Sequence, residues 1–204
     1  MFHQKEYENE TFRNLAVNEE LFENLQFFEC TFLKCNFSST VFKNAEFRMC
    51  QFEDCDLSLV KVDGSIFKGV EFENSKVIGI NWASASWGRK GLTQLVKSID
   101  FKGCVLNYSS FFELELEKIE IVNCIAHEVD FSGANLKEAN LRGTDFENSI
   151  FRHTNLEKAD LVKAKNYMIP PAVNTLKKTR FSMPEAMALL YSMDIVLEEY
   201  SQVD

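Results

Sequence analysis

Every fifth residue from Tyr7 to Trp82 is apolar: Tyr7, Phe12, Val17, Phe22, Phe27 and onward through Phe72, Val77 and Trp82. The series resumes one register earlier and runs from Val96 through Phe101, Leu106 and Phe111 to Leu156 and Leu161. The two runs hold 30 such centres, all hydrophobic in a chain that is 46% hydrophobic, so composition alone does not produce them. A helix repeats its apolar positions at spacings of three and four, and a half-buried strand at two. A period of five fits neither and requires a bend in every unit. A fixed internal period also outranks local propensity, because missing it miscalls the fold.

A second selected position lies two residues before each centre. It is small or apolar except at Lys5, Glu10, Glu20 and Gln94. Between the two slots Asp or Asn is common, as in Asn36, Asp56, Asp130, Asn135, Asn140, Asp145, Asn155 and Asp160. Their side chains bond nearby backbone and tolerate turn geometry, which suits a bend in each unit. The remaining positions are mostly polar and face outward.

The units Ala134-Asn135-Leu136, Ala139-Asn140-Leu141 and Ala159-Asp160-Leu161 resemble the pentapeptide-repeat proteins, and the resemblance covers about residues 5–163. It implies an all-β solenoid: a right-handed quadrilateral β-helix with four units per coil, here with a C-terminal α-helical cap. Centres twenty apart would then stack, giving columns such as Phe12, Phe32, Phe52 and Phe72. Each buried Phe would contribute about 1.5–3 kcal/mol.

The same pattern divides the chain. Residues 1–82 form N-terminal coils, 83–95 an inserted loop, 96–163 C-terminal coils, and 164–204 a capping and dimerisation segment. From Trp82 to Val96 the chain takes 14 residues where the period needs five, so nine are inserted. The loop carries Trp87, Arg89 and Lys90. It reads either as a tolerated excursion whose Trp packs back on the shaft or as a basic, aromatic partner contact. Beyond Leu161, Pro170 and Pro171 mark a break, and Ser182 with Glu185 matches a capping box. The predicted helix carries Met183, Ala186, Met187, Leu190 and Met193 on one face. One apolar face covers the open coil end. The surplus, with Met187, Leu190, Tyr191, Ile195 and Leu197 as candidates, suits a two-fold homodimer, as the resemblance also implies.

Six cysteines, Cys30, Cys35, Cys50, Cys55, Cys104 and Cys124, all occupy the small slot. Their spacing is not that of paired-Cys zinc motifs, and free Cys behaves as a small buried hydrophobe. No metal, cofactor or catalytic constellation is expected. His3, His127 and His153 join no nucleophile motif, and His127 and His153 fall at outward positions. The chain is read as a non-enzyme. With no apolar run near 18 residues and no secretory start, a soluble cytoplasmic protein without membrane contact is the expectation.

Net charge is −9, and the repeats hold nearly all the acid excess. That balance argues against nucleic acid as a ligand. In the second block, the side centred on Leu106, Ala126 and Phe146 carries Glu128, Asp145 and Glu147, and its neighbour adds Glu113 and Asp130. The quinolone-resistance (Qnr-type) branch of the family is a dimeric acidic rod that imitates duplex DNA and binds type II topoisomerases. The resemblance therefore implies that these five acids, with Trp87, Arg89 and Lys90, contact DNA gyrase or topoisomerase IV and lower fluoroquinolone sensitivity. The alternative is a non-catalytic scaffold with another protein partner. Duplex DNA carries one charge per roughly 1.7 Å, about twice the density these repeats provide.

Overall fold

The five-residue period closes a coil after four units, and every pairing follows from that. In a computed structural model, which describes residues 2–87, 99–193 and 195, each strand is two to four residues long and parallel to the strand one coil away. The longest sheet orders Thr11–Arg13, Thr31–Leu33, Gln51–Glu53, Val70–Glu73, Ile99–Lys102 and Ile121–Val122. Its register places Phe12 against Phe32, Phe32 against Phe52, and Phe52 against Phe72. The protein is a β-solenoid with four internal columns, begun by Tyr7, Phe12, Val17 and Phe22.

The centres are buried as the period requires. Phe27, Phe32, Phe47, Phe52, Phe72, Phe101, Phe111 and Phe131 are essentially inaccessible. Rings along a column stack offset and nearly parallel, with centroids 5.1 Å apart for Phe12–Phe32, 4.6 Å for Phe32–Phe52 and 5.0 Å for Phe52–Phe72. Neighbouring columns meet edge to face, as at Phe27–Phe32, an arrangement aromatic quadrupoles favour.

The columns cross the insertion without slipping. Phe72 pairs with Phe101, so twenty residues become twenty-nine and the nine extra leave the ladder intact. Ser86 still donates its N–H to the Ser65 carbonyl, one coil away. Residues 83 to 87 remain on the coil, beginning with a 3-10 turn over Trp82–Ser84 that the Asn81 side chain caps.

The small slots close the remaining hydrogen bonds. Thr40, Ser65, Ser109, Thr144 and Ser149 each donate a hydroxyl to a carbonyl of the preceding coil. Several also accept an N–H from that coil, as Ser149 does from Val129 at 3.1 Å. The cysteines make the same contacts through longer sulfur bonds: Cys55 Sγ reaches the Phe32 carbonyl at 3.3 Å and accepts from Cys35 N–H at 3.3 Å. All six are free and buried, and burial pushes the Cys50 thiol up to about 12. They are core residues.

Each coil turns its corners through the left-handed region. Among the described residues, twenty-four that are not glycine have φ between +48° and +66°, among them Glu113, Glu128, Asn148 and His153. Asn tolerates this region, and glycine adopts it freely. Where glycine takes the corner, the side chain one coil earlier leans over it. A Cβ at Gly143 would lie 2.2 Å from Asn123 Oδ1.

Both ends are plugged. Phe2 inserts its ring among Tyr7, Phe12, Phe22 and Phe27 at centroid distances of 5.0–5.5 Å. At the other end the ladder runs past the expected limit at residue 163: Asp145 bridges Lys165, Asn155 bridges Thr175, and Asp160 bridges Arg180. Tyr167 and Ile169 fill the core where the period itself lapses at Asn166 and Pro171. The expected capping box does not form. The helix is confined to Met187–Tyr191, Ala186 stands at its N-cap, and Ser182 Oγ instead accepts the Lys163 N–H at 3.0 Å. Ala188 and Leu189 pack on the shaft, while Met183, Leu190 and Met193 of the predicted inner face are exposed.

Candidate protein-docking surface

A cleft of about 50 Å³ between Gln51, Glu71 and Asp100 is far smaller than the ~300 Å³ at which small-molecule sites begin, so the outer sides are the place to look for function. Three outward positions per unit, repeated every twenty residues, build each side as rows of triplets. On the side of the Val17 column the C-terminal rows are Val105, Asn107 and Tyr108; Ile125, His127 and Glu128; then Asp145, Glu147 and Asn148. Bridges between Val105 and Ile125 and between Ile125 and Asp145 fix that order.

The structure brings Glu128, Asp145 and Glu147 onto this side, and Glu113 and Asp130 onto the adjacent one. Their roles differ. Glu113 and Glu128 sit at left-handed corners and are exposed, as is Glu147. Asp130 is half-buried and accepts the Ser132 N–H at 2.8 Å. Asp145 is 14% exposed, with Lys165 Nζ 3.2 Å from Oδ2 and Asn166 donating to Oδ1 at 2.8 Å. Burial alone would raise its pKa. Asn166, Lys165 and His127 outweigh that and hold the carboxyl below its usual range. Asp145 is thus partly neutralised, and the exposed acids of the edge are Glu113, Glu128 and Glu147.

His127 is not the freely solvated histidine that its outward slot suggests. Its Nε2 lies 3.4 Å from Asp145 Oδ2 and 3.9 Å from Glu147 Oε2, without the alignment of a hydrogen bond. These three atoms lie within 4.8 Å of one another, which is the reach of a metal site. Lys165 and Asn166 already engage both oxygens of Asp145, however, one through an ion pair and the other through a hydrogen bond. Sequence reading missed it because Asp145 lies one coil from His127 and Lys165 another coil on. Only the twenty-residue register joins them.

Of the loop residues, Trp87 is tied to the shaft: its indole N–H donates to the Trp82 carbonyl at 2.7 Å and its ring packs against the core edge. Arg89 and Lys90 lie outside the described residues. Of the dimerisation candidates, Tyr191 is 66%, Ile195 43% and Leu190 36% exposed, Met187 is half-buried, and Leu197 lies outside the described residues. Among the described residues no helix is long and apolar enough to cross a membrane.

The side of the Tyr7 column behaves differently. Glu117–Lys137 and Lys118–Glu138 pair at 3.8 Å, and Glu138–Lys158 at 2.9 Å, so each lysine of these rows meets a glutamate along the register.

Comparison with known proteins follows the same geometry. The profile described as a pentapeptide repeat region matches residues 25–111, and that of pentapeptide repeats in eight copies matches residues 130–165. Together they span more than half of the chain. Two trypsin-treated variants of QnrB1, a plasmid-mediated fluoroquinolone resistance protein, superpose with TM-scores of 0.71 and 0.65 at 21% and 19% identity. The alignments cover 92% of this chain and 99% and 100% of theirs. HetL, a pentapeptide repeat protein involved in heterocyst differentiation regulation in Nostoc sp. strain PCC 7120, superposes at 0.56 with 13% identity over 90% of this chain and 93% of its own. At such identities the likeness is one of fold. No curated protein sequence matches. The repeat register, the buried columns and the two profile matches agree that this chain belongs to the pentapeptide-repeat family.

Proposed function

We propose that the protein is a non-catalytic rod that occupies the DNA-binding surface of a type II topoisomerase, DNA gyrase or topoisomerase IV, and thereby lowers sensitivity to fluoroquinolones. The acidic edge of the C-terminal half carries this reading. Glu128 and Glu147 lie on one side and Glu113 and Asp130 on the next, along a stiff shaft whose opposite side pairs its lysines with glutamates. Fold likeness to QnrB1 over 92% of the chain supports it. A second reading, a scaffold for another protein partner, is favoured by the engagement of Asp145 with Lys165, which leaves the edge less acidic than its sequence suggests.

Binding would be a surface event, with carboxylates opposite the basic groups that otherwise hold DNA phosphates. Exposed charges are screened over about 8 Å at physiological salt, so the electrostatic share weakens as salt rises. The proposed dimer would join two rods through the exposed apolar residues Leu190, Tyr191 and Ile195. Purified gyrase and topoisomerase IV, assayed with a fluoroquinolone at increasing protein, test the function. Recovered supercoiling or decatenation is expected, and the Glu128→Lys/Glu147→Lys variant should recover less. No change with either enzyme at saturating protein would leave the scaffold reading standing.

A further inference from the structure

The Val17 side changes character along its length. Its middle rows hold Leu59, Ile78, Val105, Tyr108 and Ile125. Leu59 is 59%, Tyr108 62% and Ile125 43% exposed. Register joins them into one belt: the Leu59 N–H donates to the Ile78 carbonyl, Lys76 bridges Val105, and Val105 bridges Ile125. The Leu59 side chain also lies over Gly79, where a Cβ would meet its Cδ2 at 2.8 Å. Within these rows Lys76 pairs with Asp56 at 3.4 Å, and His127 and Glu128 share the row of Ile125. The Phe12 side differs: its outward triplets include Glu53 and Asp54, Glu71 and Glu73, then Asp100 and Lys102. Scattered single apolar residues are normal on a soluble surface, but a contiguous patch rimmed by charge marks a contact.

The belt ends against Glu128, in the row of Ile125, and Asp145 and Glu147 one row on. An apolar strip closed by acids complements a protein surface that presents apolar side chains beside lysine or arginine. Duplex DNA has no groups to cover the strip, and its phosphates would face the acids. We infer that this belt is the anchoring part of the docking surface: the partner buries an apolar protrusion on Leu59, Tyr108 and Ile125 while its basic residues reach Glu128 and Glu147. This rests on the topoisomerase reading above and deepens it. The acidic edge guides and orients encounter, and the belt holds the complex. Interface energy concentrates in a few buried aromatic and aliphatic anchors surrounded by polar contacts.

Affinity of purified DNA gyrase and topoisomerase IV for the full chain tests this, at physiological salt and at about 0.5 M salt, where screening shortens to a few ångström. The variants are Tyr108→Ser/Ile125→Ser in the belt and Val122→Ser/Val162→Ser on the Phe12 side as a control. All four positions face outward, and thermal melts confirm that each variant folds. The wild type is expected to bind and to keep most of its affinity at high salt. The belt variant should lose at least about tenfold, the scale of an anchor residue, and the control little. Binding by the wild type that vanishes at high salt, or is equal in the belt variant, overturns the belt while leaving the topoisomerase reading intact. No binding of either enzyme by the wild type overturns both. A belt variant that changes only the oligomeric state overturns the inference in favour of a second copy of this chain as the occupant.

Discussion

The N-terminal and C-terminal halves of the rod share one register but fill it differently. From Tyr7 to Trp82 the columns are mostly phenylalanine, stacked ring on ring at about 5 Å. Beyond Phe101 they pass to Leu106, Ala126, Ile121, Leu136 and Leu141, with rings kept mainly in the column of Phe111, Phe131 and Phe151. Outside, the contrast continues. The C-terminal half carries a side where Glu and Lys pair along the register, opposite a side where Glu128 and Glu147 are exposed. The backbone solution is common to both halves. What distinguishes them is how much dispersion each column gains and which charges are left over for a partner.

Truncating a stacked ring should give the largest effect. Phe52→Ala removes a ring held between Phe32 and Phe72 and should cost about 3–5 kcal/mol in denaturant unfolding. Leu141→Ala in the same column should cost about 2–5 kcal/mol, toward the lower end because aliphatic neighbours relax more readily. Equal costs would erase the energetic difference between the halves.

Next come the small slots. Ser149 donates to the Ala126 carbonyl at 2.5 Å and accepts from Val129, so Ser149→Ala should cost about 1–3 kcal/mol by stranding both groups. Cys124→Ala should cost less, since its sulfur contacts run from 3.4 to 3.6 Å. A similar cost at both sites would show that the slot responds to volume and not to hydrogen bonding.

A corner substitution is smaller still. Gly143→Ala, at φ +67°, should cost about 1–2 kcal/mol from the left-handed penalty alone. Part of any further loss should return with Asn123→Ser, which removes the oxygen the new Cβ would meet. Thermal melts of the single and double variants read this directly.

The smallest effect is in acid. Burial would raise the Asp160 pKa, but the Val162 N–H, Arg142 and Arg180 together hold it below the ordinary value. A carboxyl depressed in the fold contributes stability that is complete above its unfolded pKa, about 3.9, and disappears as pH falls through the lower folded value. Asp160→Asn should therefore flatten the stability profile below about pH 4 and leave it parallel to wild type above. An unchanged acid limb would show that the two arginine contacts, each at 2.9 Å, are energetically idle.

Much of this architecture can be read in the sequence, because a five-residue period leaves the chain little choice. The Phe12 column, the nine-residue insertion and the placing of all six cysteines in the core follow from counting. The ends do not, because there the period lapses and tertiary contacts decide. Phe2 finds the open coil before the first full unit. Tyr167 and Ile169 fill the column after Asn166 breaks it, and Ser182 serves a neighbouring coil where a helix cap is expected. The docking surface is half legible. Acids could be assigned to sides by register, yet the Lys165 and His127 contacts that quieten Asp145 emerge only once three coils are stacked. The apolar belt is missed because Leu59, Tyr108 and Ile125 occupy free positions in separate units, where a single apolar residue carries no signal.

Competition with duplex DNA tests the central claim most directly. Purified gyrase or topoisomerase IV is loaded with a labelled linear duplex, and the full-length protein is titrated in while DNA occupancy is followed. Displacement in proportion to added protein, blunted by Glu128→Lys/Glu147→Lys, is the predicted result. Full DNA occupancy of both enzymes at saturating protein would contradict it.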